Sequence, residues 1–309
     1  MTECRVSIII VNYHSENDIA NCLESIETHT TDVTYEVWVV SNSSVNPTDR
    51  ESLINFKHVH LLQLDDNYGF AYACNRGAEQ AQGEYLFFLN PDTCFLNDVL
   101  RELINFDNTL SKPALIGPKT FNEKRELSAS VKNDITRGFF FLVAVPFLSF
   151  LFKKKHDIYH YTLAYSQEVS VLNGHAIMIP KTHFNKLGKF DEQFFMYWEE
   201  HDLCIRAREN NYGVYFCNDA KVIHLKGTST QPFFNEMEAH KNRSLIKYLL
   251  KHAPHLVQWD KYAHIFGYSW RFVAALLLFD SNRARRYLGL LKWYTFHYGK
   301  EKRLIENHS

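Results

Sequence analysis

The chain has 309 residues, the length of one large domain or two small ones. Apolar residues make up 46% of it and charged residues 22%, a globular composition that excludes extended disorder and collagen-like repeats. The formal net charge of −1 excludes the overall basic charge of many nucleic-acid-binding proteins, so no nucleic acid is expected as a partner.

Cysteine usage and the first residues bear on the cellular compartment. The six cysteines form no CxxC pair and no regular spacing. The start of the chain runs into a short apolar strand and lacks the apolar core of a signal peptide. Both features predict reduced thiols in a cytoplasmic protein.

In the first part of the chain, apolar runs alternate with helical patterns. Apolar runs predict buried strands at 6–11, 35–40, 59–64 and 84–89. Helices are predicted after Ser15, which offers an N-cap, and over 69–81. Strands alternating with helices predict an α/β protein, whose mostly parallel sheet has helices on both faces. Ligands bind such sheets beyond the carboxyl ends of the strands, where the polar clusters of this sequence fall.

Beyond about residue 115 the pattern is less regular. A strand over 171–179 is interrupted by Asn173-Gly174-His175, a helix is predicted over 199–210, and short strands follow at 213–217 and 221–225. The chain then has mostly helical periodicity. We therefore expect an α/β domain over 1–228 and a helical, basic and aromatic extension over 229–309.

Two segments have the composition of elements that lie on a membrane. The apolar run 139–152 is interrupted by Pro146 and followed by three lysines, and it is shorter than the ~20 residues that span a bilayer. It suits an interfacial helix and a buried helical hairpin equally well. Between Arg283 and Arg303, seven positive residues alternate with aromatic and aliphatic ones, which suits a membrane surface or an ordinary solvated face.

Asp92 is the first candidate for chemistry. It lies in Asn90-Pro91-Asp92-Thr93, directly after a predicted buried strand. A single aspartate there is most often a turn residue or helix cap, but it can also hold a divalent cation against a diphosphate. His224 ends a short predicted strand, and a lone histidine is more often structural than a metal ligand.

A cluster of acids forms the second candidate. Glu199, Glu200 and Asp202 follow Trp198 at the start of a predicted helix. Acids in a first helical turn complement the helix dipole, and this alone explains many such clusters. Two adjacent carboxylates beside a tryptophan would also raise one another's pKa, as a general base requires.

Taken in order, these segments resemble glycosyltransferase family 2, and most of all its bacterial rhamnosyltransferase-type members, in which NPD replaces the commoner DxD. The residues that carry the resemblance are Ser7 to Tyr13, Val39 to Ser43, Asn67 to Ala71 with Asn75 and Gly77, Leu89 to Thr93, Asn173-Gly174, Phe190 to Glu192, Phe194 to Leu203 with Arg206, and Val222 to His224. They cover about residues 5 to 228.

The resemblance implies a GT-A-type fold, an α/β sandwich with a donor-binding half over about 1–115 and an acceptor half over about 116–228. It implies a divalent metal, Mn²⁺ or Mg²⁺, held by Asp92 and His224, and a catalytic base at Glu200. The residues that it places at the donor nucleotide are Asn12, Tyr13, Ser41, Asn42, Asn67, Gly69 and Asn75. The residues that it places toward the sugar and acceptor are Trp198, Glu199, Gly174 and His175.

The implied function is inverting, metal-dependent transfer of a sugar, with rhamnose suggested by the resemblance alone. The donor would be a dTDP- or UDP-sugar and the acceptor a glycan or a polyprenyl-diphosphate-linked glycan of bacterial surface polysaccharide, such as O-antigen or capsule. The enzyme would be cytoplasmic, with the inner face of the cytoplasmic membrane as a docking surface.

Two residues depart from the family pattern. Ser41 stands where the family usually has an aspartate that binds the nucleoside, and Glu200 stands where it usually has a shorter aspartate. The first departure leaves open an alternative, a non-catalytic nucleotide-sugar-binding or scaffold protein on the same fold.

Overall fold

A computed structural model describes residues 5–43, 53, 56–145, 160–161, 163–225 and 234–307. The chain forms two compact units. We call residues 1–133 with 160–238 the sheet unit, and residues 134–159 with 239–309 the helical unit. The domain boundary expected at residue 228 lies outside the described residues.

Twelve strands and ten α-helices occur in the described part of the chain. The strands are β1 (Val6–Asn12), β2 (Tyr35–Ser41), β3 (Val59–Gln63), β4 (Tyr85–Leu89), β5 (Thr93–Phe95), β6 (Ala114–Phe121), β7 (Val131–Lys132), β8 (His160–Tyr161), β9 (Gln167–Glu168), β10 (Val171–Leu172), β11 (Ala176–Pro180) and β12 (Gly213–His224). The helices are α1 (Glu16–His29), α2 (Phe70–Gln80), α3 (Val99–Asp107), α4 (Arg137–Ala144), α5 (Lys181–Lys186), α6 (Glu199–Glu209), α7 (Phe234–His252), α8 (Val257–Leu277), α9 (Ser281–Lys292) and α10 (Tyr298–Glu306).

The main sheet has the strand order β3-β2-β1-β4-β11-β6-β12-β5, and β9 pairs with β12. Strands β3, β2, β1 and β4 are parallel to one another, as are β6 and β12, while β11 and β5 are antiparallel to their neighbours. Strands β10, β7 and β8 form a small second sheet. The predicted α/β class with a mostly parallel sheet is confirmed.

The central strand β1 is buried along its whole length because its two faces meet different cores. Ile8 and Ile10 contribute to the core that contains α1, whereas Ile9 faces the core that contains α2. This alternation is the two-residue period of a strand. Gly77 lets α2 approach closely, since a Cβ there would meet the side chains of Ile9 and Val40.

The C-terminal strand region differs from its prediction. The two short strands expected at 213–217 and 221–225 form one strand, β12, whose register with β6 shifts between Cys217 and Lys221. Ser15 was expected to cap α1, but its hydroxyl donates to the Tyr13 carbonyl oxygen and makes no cap hydrogen bond.

The helical unit has its own aromatic core. Tyr294 is fully buried, stacks on His264 with ring centroids 4.5 Å apart, and donates a hydrogen bond to Asn242. In the membrane-like run 139–152, the described part lies in and just after α4, where Phe140 is buried and Phe141 is half exposed. Among the described helices, none is both long enough and apolar enough to cross a bilayer.

Candidate functional site

The candidate site residues lie at the carboxyl ends of the parallel strands. Asn12 at the end of β1 is in register with Ser41 at the end of β2. On the other side of β1, Ile10 is in register with Leu89, the last residue of β4, so Asp92 follows at the same edge of the sheet. Strand β11 begins at this edge, and the His175 carbonyl oxygen accepts a hydrogen bond from the Asn90 N–H.

Three of the predicted nucleotide residues form a buried network at this edge. The Asn12 side-chain amide donates to the Ser41 hydroxyl oxygen at 3.1 Å, and that hydroxyl donates to the Ser43 carbonyl oxygen. The Asn42 amide donates to the Gly69 carbonyl oxygen at 3.0 Å. Among the described residues, no hydrogen-bond partner reaches Oδ1 of Asn42, which leaves a buried acceptor for a ligand N–H or O–H group.

Gly69 is required by its backbone conformation and by its surroundings. Its φ of +91° lies in the left-handed region, and a Cβ there would collide with the carbonyl group of Phe195. Asn67 fixes the same turn, because its side-chain oxygen accepts a hydrogen bond from the Gly69 N–H. The pair therefore brings the start of α2 against the segment that precedes α6.

Asn75 and Tyr13 have different surroundings. Asn75 is buried, and its side chain exchanges hydrogen bonds with the backbone of Phe190 and donates to Glu192. It therefore ties α2 to the loop before α6, and its expected contact with the nucleotide stays a prediction. Tyr13 is partly exposed beside His14, whose φ is +54°.

The predicted metal ligands meet. Nε2 of His224 lies 3.2 Å from Oδ1 of Asp92, because β12 and β5 pair and place His224 opposite Thr93. His175 stacks on His224 with ring centroids 4.5 Å apart, and its Nε2 lies 2.8 Å from the Thr120 hydroxyl. The structure thus places His175, expected on the acceptor side, against a predicted metal ligand.

The chemistry of these ligands fits a divalent cation whose coordination shell is completed by the substrate. No group of three or more His, Cys, Asp and Glu side chains that could hold a metal occurs in the part of the chain described. Mg²⁺ commonly takes one or two protein ligands and completes its shell with substrate phosphates and water. Asp92 and His224 match that number, and the imidazole also suits Mn²⁺.

Glu200 and Glu199 begin α6, are both buried, and carry opposite pKa shifts. The pKa of Glu199 is raised well above its usual value, first by burial and then by the charge of Glu200. Burial alone would also raise the pKa of Glu200, but the Lys132 ammonium and His201 lower it below the usual range. The prediction of mutually raised pKa values is therefore right for Glu199 and wrong for Glu200.

Lys132 is the residue that sequence reasoning missed. Its Nζ lies 2.6 Å from Oε1 of Glu200, and the two side chains are 12% and 6% exposed. Such a pair keeps Glu200 ionised, which a general base needs, while limiting its basicity. Among the described residues, Oε2 of Glu200 has no hydrogen-bond partner, so one oxygen is left to accept a proton.

The chain before α6 is held in a strained conformation. Tyr197 and Trp198 have φ angles of +64° and +73°, which bulky residues rarely adopt and which concentrate at functional sites. Gly174 packs against Glu200, since a Cβ at Gly174 would lie 3.3 Å from the Glu200 Cγ. The third acid, Asp202, is buried and instead forms an ion pair at 2.7 Å with the partly buried Arg206.

The loop before β11 therefore joins the two halves of the site. Gly174 touches the predicted base, and the next residue, His175, stacks on a predicted metal ligand. In a comparison with protein families, residues 7–136 match the model of glycosyl transferase family 2. The chain carries a glycosyltransferase family 2 domain. The predicted enzyme class, a glycosyltransferase, is confirmed with it.

Several proteins that are similar to this chain are named as glycosyltransferases. A low-salt glycan biosynthesis hexosyltransferase of Haloferax volcanii is 28% identical over 226 residues, which cover 71% of this chain and 66% of that protein. An N-acetylglucosaminyl-diphospho-decaprenol L-rhamnosyltransferase of Mycobacterium tuberculosis is 23% identical, over 72% of this chain and 76% of that protein. A dTDP-rhamnosyl transferase of Shigella flexneri is 25% identical, over 61% of this chain and 60% of that protein.

A solved structure supports the same fold. The crystal structure of GalNAc-T7 with UDP, GalNAc and Mn²⁺ aligns with a TM-score of 0.58 at 14% identity, over 95% of this chain and 56% of that one. Together with the family match, this similarity confirms the expected GT-A-type fold.

Proposed function

We propose that the protein is an inverting, metal-dependent hexosyltransferase that moves a sugar from a nucleotide-diphospho-sugar to a lipid-linked glycan of surface polysaccharide. The observation that carries the proposal is that adjacent residues of one loop contact both parts of the site: Gly174 packs against buried Glu200, and His175 stacks on His224 of the Asp92–His224 pair. The names of the Mycobacterium and Shigella relatives support a dTDP-rhamnose donor and a polyprenyl-diphosphate-linked acceptor.

In this mechanism Asp92 and His224 would hold a divalent cation beside the donor diphosphate. Such a cation, when bound, neutralises the negative charge that develops on the leaving nucleoside diphosphate. Oε2 of Glu200 accepts the proton of the acceptor hydroxyl as its oxygen attacks the anomeric carbon. The bond from that carbon to the diphosphate oxygen breaks on the opposite face, and its electron pair leaves with the nucleoside diphosphate. One displacement inverts the anomeric centre.

Glu199 and Lys132 set the protonation state of the site. The raised pKa of Glu199 favours its protonated form and the lowered pKa of Glu200 favours its carboxylate, so the negative charge of the pair would reside mainly on Glu200. Carboxyl groups whose pKa values are pushed apart in this way commonly divide acid and base roles. Here Glu199 would donate a hydrogen bond toward the sugar or acceptor while Glu200 takes the proton.

The test is a transfer assay with dTDP-rhamnose and UDP-sugars, an undecaprenyl-diphosphate-linked acceptor and Mn²⁺ or Mg²⁺. The proposal predicts a product of inverted anomeric configuration by NMR, no product in EDTA, and a large loss of product from the Glu200→Gln variant. Turnover with retained configuration, or full turnover in EDTA, would contradict it. We also propose that the enzyme works at the inner face of the cytoplasmic membrane, where such an acceptor would be embedded.

A further inference from the structure

Helix α8 of the helical unit has a continuous exposed apolar face. Its residues and their exposed fractions are Trp259 48%, Tyr262 63%, Phe266 48%, Trp270 58%, Val273 45% and Leu277 74%. They recur every three or four residues and therefore share one arc of the helix, about 27 Å long. By the same period, the charged residues Asp260, Lys261 and Arg271 fall outside that arc. We call this arc the apolar face of α8.

The end of α8 continues the face into an exposed apolar tip, Leu276 to Phe279, in which Phe279 is 95% exposed. The helix ends in a Schellman motif, with hydrogen bonds from the Phe279 N–H to the Leu276 carbonyl and from the Asp280 N–H to the Ala275 carbonyl. Phe279 occupies the left-handed position of that motif, with φ +54°, where glycine is usual. A side chain that is both strained and exposed adds no stability to the described fold, which points to an external contact.

Positive charge adjoins the apolar tip. Residues 257–307 contain nine Lys and Arg against four Asp and Glu, although the whole chain carries −1. The first two turns of α9 expose Arg283, Arg285 and Arg286, of which Arg283 also pairs with Asp280 at 3.2 Å. An apolar wedge bordered by arginines complements a bilayer with anionic headgroups. Tryptophan and tyrosine are also the residues that favour the membrane–water interface.

The same charges disfavour a second copy of this chain as the occupant. A two-fold contact places the same patch on both sides, so the arginines after one tip would approach those of the other. We propose that the apolar face of α8 and the Leu276–Phe279 tip dock on an anionic lipid bilayer. This surface would hold the enzyme at the membrane location proposed above, and its biological role depends on the proposed function.

This surface differs from the segments that the sequence indicated. Within 283–303 the structure buries Tyr294 and leaves Phe296 75% exposed, and the exposed arginines of this segment follow directly after the apolar tip. The apolar part of the surface comes from α8 (Val257–Leu277), which lies outside both of those segments. The tail of the run 139–152 lies outside the described residues.

The test is flotation of the full chain with vesicles of phosphatidylcholine alone and of phosphatidylcholine with phosphatidylglycerol. The wild type is expected to float with the anionic vesicles, and high salt should weaken the binding. Phe279→Gly removes the side chain and relaxes the backbone, so we expect roughly tenfold weaker binding with an equal or higher unfolding temperature. Leu277→Ser/Leu278→Ser should weaken binding further. The matched control is Tyr165→Ser, which changes a 66% exposed aromatic of the sheet unit and should leave binding unchanged.

Undiminished flotation of both tip variants would overturn the inference. Sedimentation that reveals a dimer in the wild type and a monomer in Leu277→Ser/Leu278→Ser would overturn it too, by assigning the face to a second copy. Nucleotide binding without vesicle binding would refute the docking surface and leave the glycosyltransferase proposal standing. Vesicle binding without nucleotide binding would refute the proposed function and leave the docking surface standing.

Discussion

The sheet unit and the helical unit depart from the usual distribution of polar and apolar residues in opposite directions. The sheet unit buries ionisable groups, among them Asp92, Glu199 and Glu200, whereas the helical unit exposes Trp270 and Phe279. Buried carboxylates and large exposed apolar surfaces both lower stability or solubility, so a protein retains them where they serve a purpose. We interpret the first departure as a polar substrate site and the second as a lipid-facing surface. The two can be perturbed separately.

The largest expected effect is that of Glu200→Gln, which keeps the size of the side chain and removes the proton acceptor. Transfer should fall by about 10²- to 10⁴-fold, as when a general base is lost. Nucleotide binding and vesicle flotation should be unchanged. Glu168→Gln is the control, because that exposed glutamate pairs with Lys112 away from the site. Wild-type turnover by the Glu200→Gln variant would show that Glu200 is not the general base.

The next effect is that of Lys132→Met, which leaves the buried carboxylate of Glu200 without its cation. Breaking a buried pair costs about 3 kcal/mol of stability. In the wild type, the lowered pKa of Glu200 stabilises the fold at pH values above the ordinary carboxyl pKa range, and this stabilisation is lost as the pH falls. In Lys132→Met, burial raises the pKa of Glu200 instead, so the stability of the variant falls as the pH rises through that raised pKa. The acid limb of the pH profile of kcat/KM should therefore move to higher pH.

A double variant makes the Lys132 prediction specific. Lys132→Met/Glu200→Gln removes both charges, so the double variant should recover most of the stability that Lys132→Met loses, as measured by urea unfolding. Additive losses in the double variant would mean that Lys132 acts through other contacts. If the acid limb of the kcat/KM profile does not move in Lys132→Met, the ionisation of Glu200 does not determine that limb.

A smaller effect is expected for Gly69→Ala, which tests the turn between the nucleotide residues and the loop before α6. The added Cβ meets the Phe195 carbonyl and the φ of +91° disfavours alanine, so stability should fall by about 1–3 kcal/mol. Nucleotide affinity should fall with it. Gly289→Ala is the control, because no described atom lies within 4 Å of a Cβ there. Equal unfolding temperatures for Gly69→Ala and the wild type would contradict this role of the turn.

The smallest effect is that of Tyr294→Phe, which removes the hydrogen bond to Asn242 inside the helical unit. We expect a loss of about 1 kcal/mol, or roughly 2–4 °C in Tm by calorimetry. Nucleotide binding should not change, because the sheet unit contains the predicted donor residues. A loss of nucleotide affinity in this variant would show that the two units cannot be perturbed independently.

Much of the sheet could be predicted because its central strands are buried on both faces. The continuous apolar runs of β1 and β4 and the polar residues after them marked the edge where Asn12, Ser41 and Asp92 lie. The Asp92–His224 contact needed the resemblance, since the two residues are 132 positions apart and meet only through the pairing of β5 and β12.

Other parts of the site depend on tertiary contacts that leave little local signal. Lys132 lies on the two-residue strand β7, which no hydrophobic period reveals, and only packing brings it to Glu200. The opposite pKa shifts of Glu199 and Glu200 follow from that contact. By contrast, the apolar face of α8 repeats at helical spacing and was available in the sequence, but exposure had to come from the structure.

The central proposal is that Asp92 and His224 would hold a divalent cation against a donor diphosphate. It is tested most directly by thermal unfolding with dTDP, UDP, GDP and CDP, each with Mn²⁺ or EDTA, for wild type, Asp92→Ala and His224→Ala. One nucleotide at about 100 Kd should stabilise the wild type by about 2.7 kcal/mol, or roughly 5 °C, only with Mn²⁺. Both variants should lose that shift. A shift that persists in EDTA, or in Asp92→Ala, would contradict the claim.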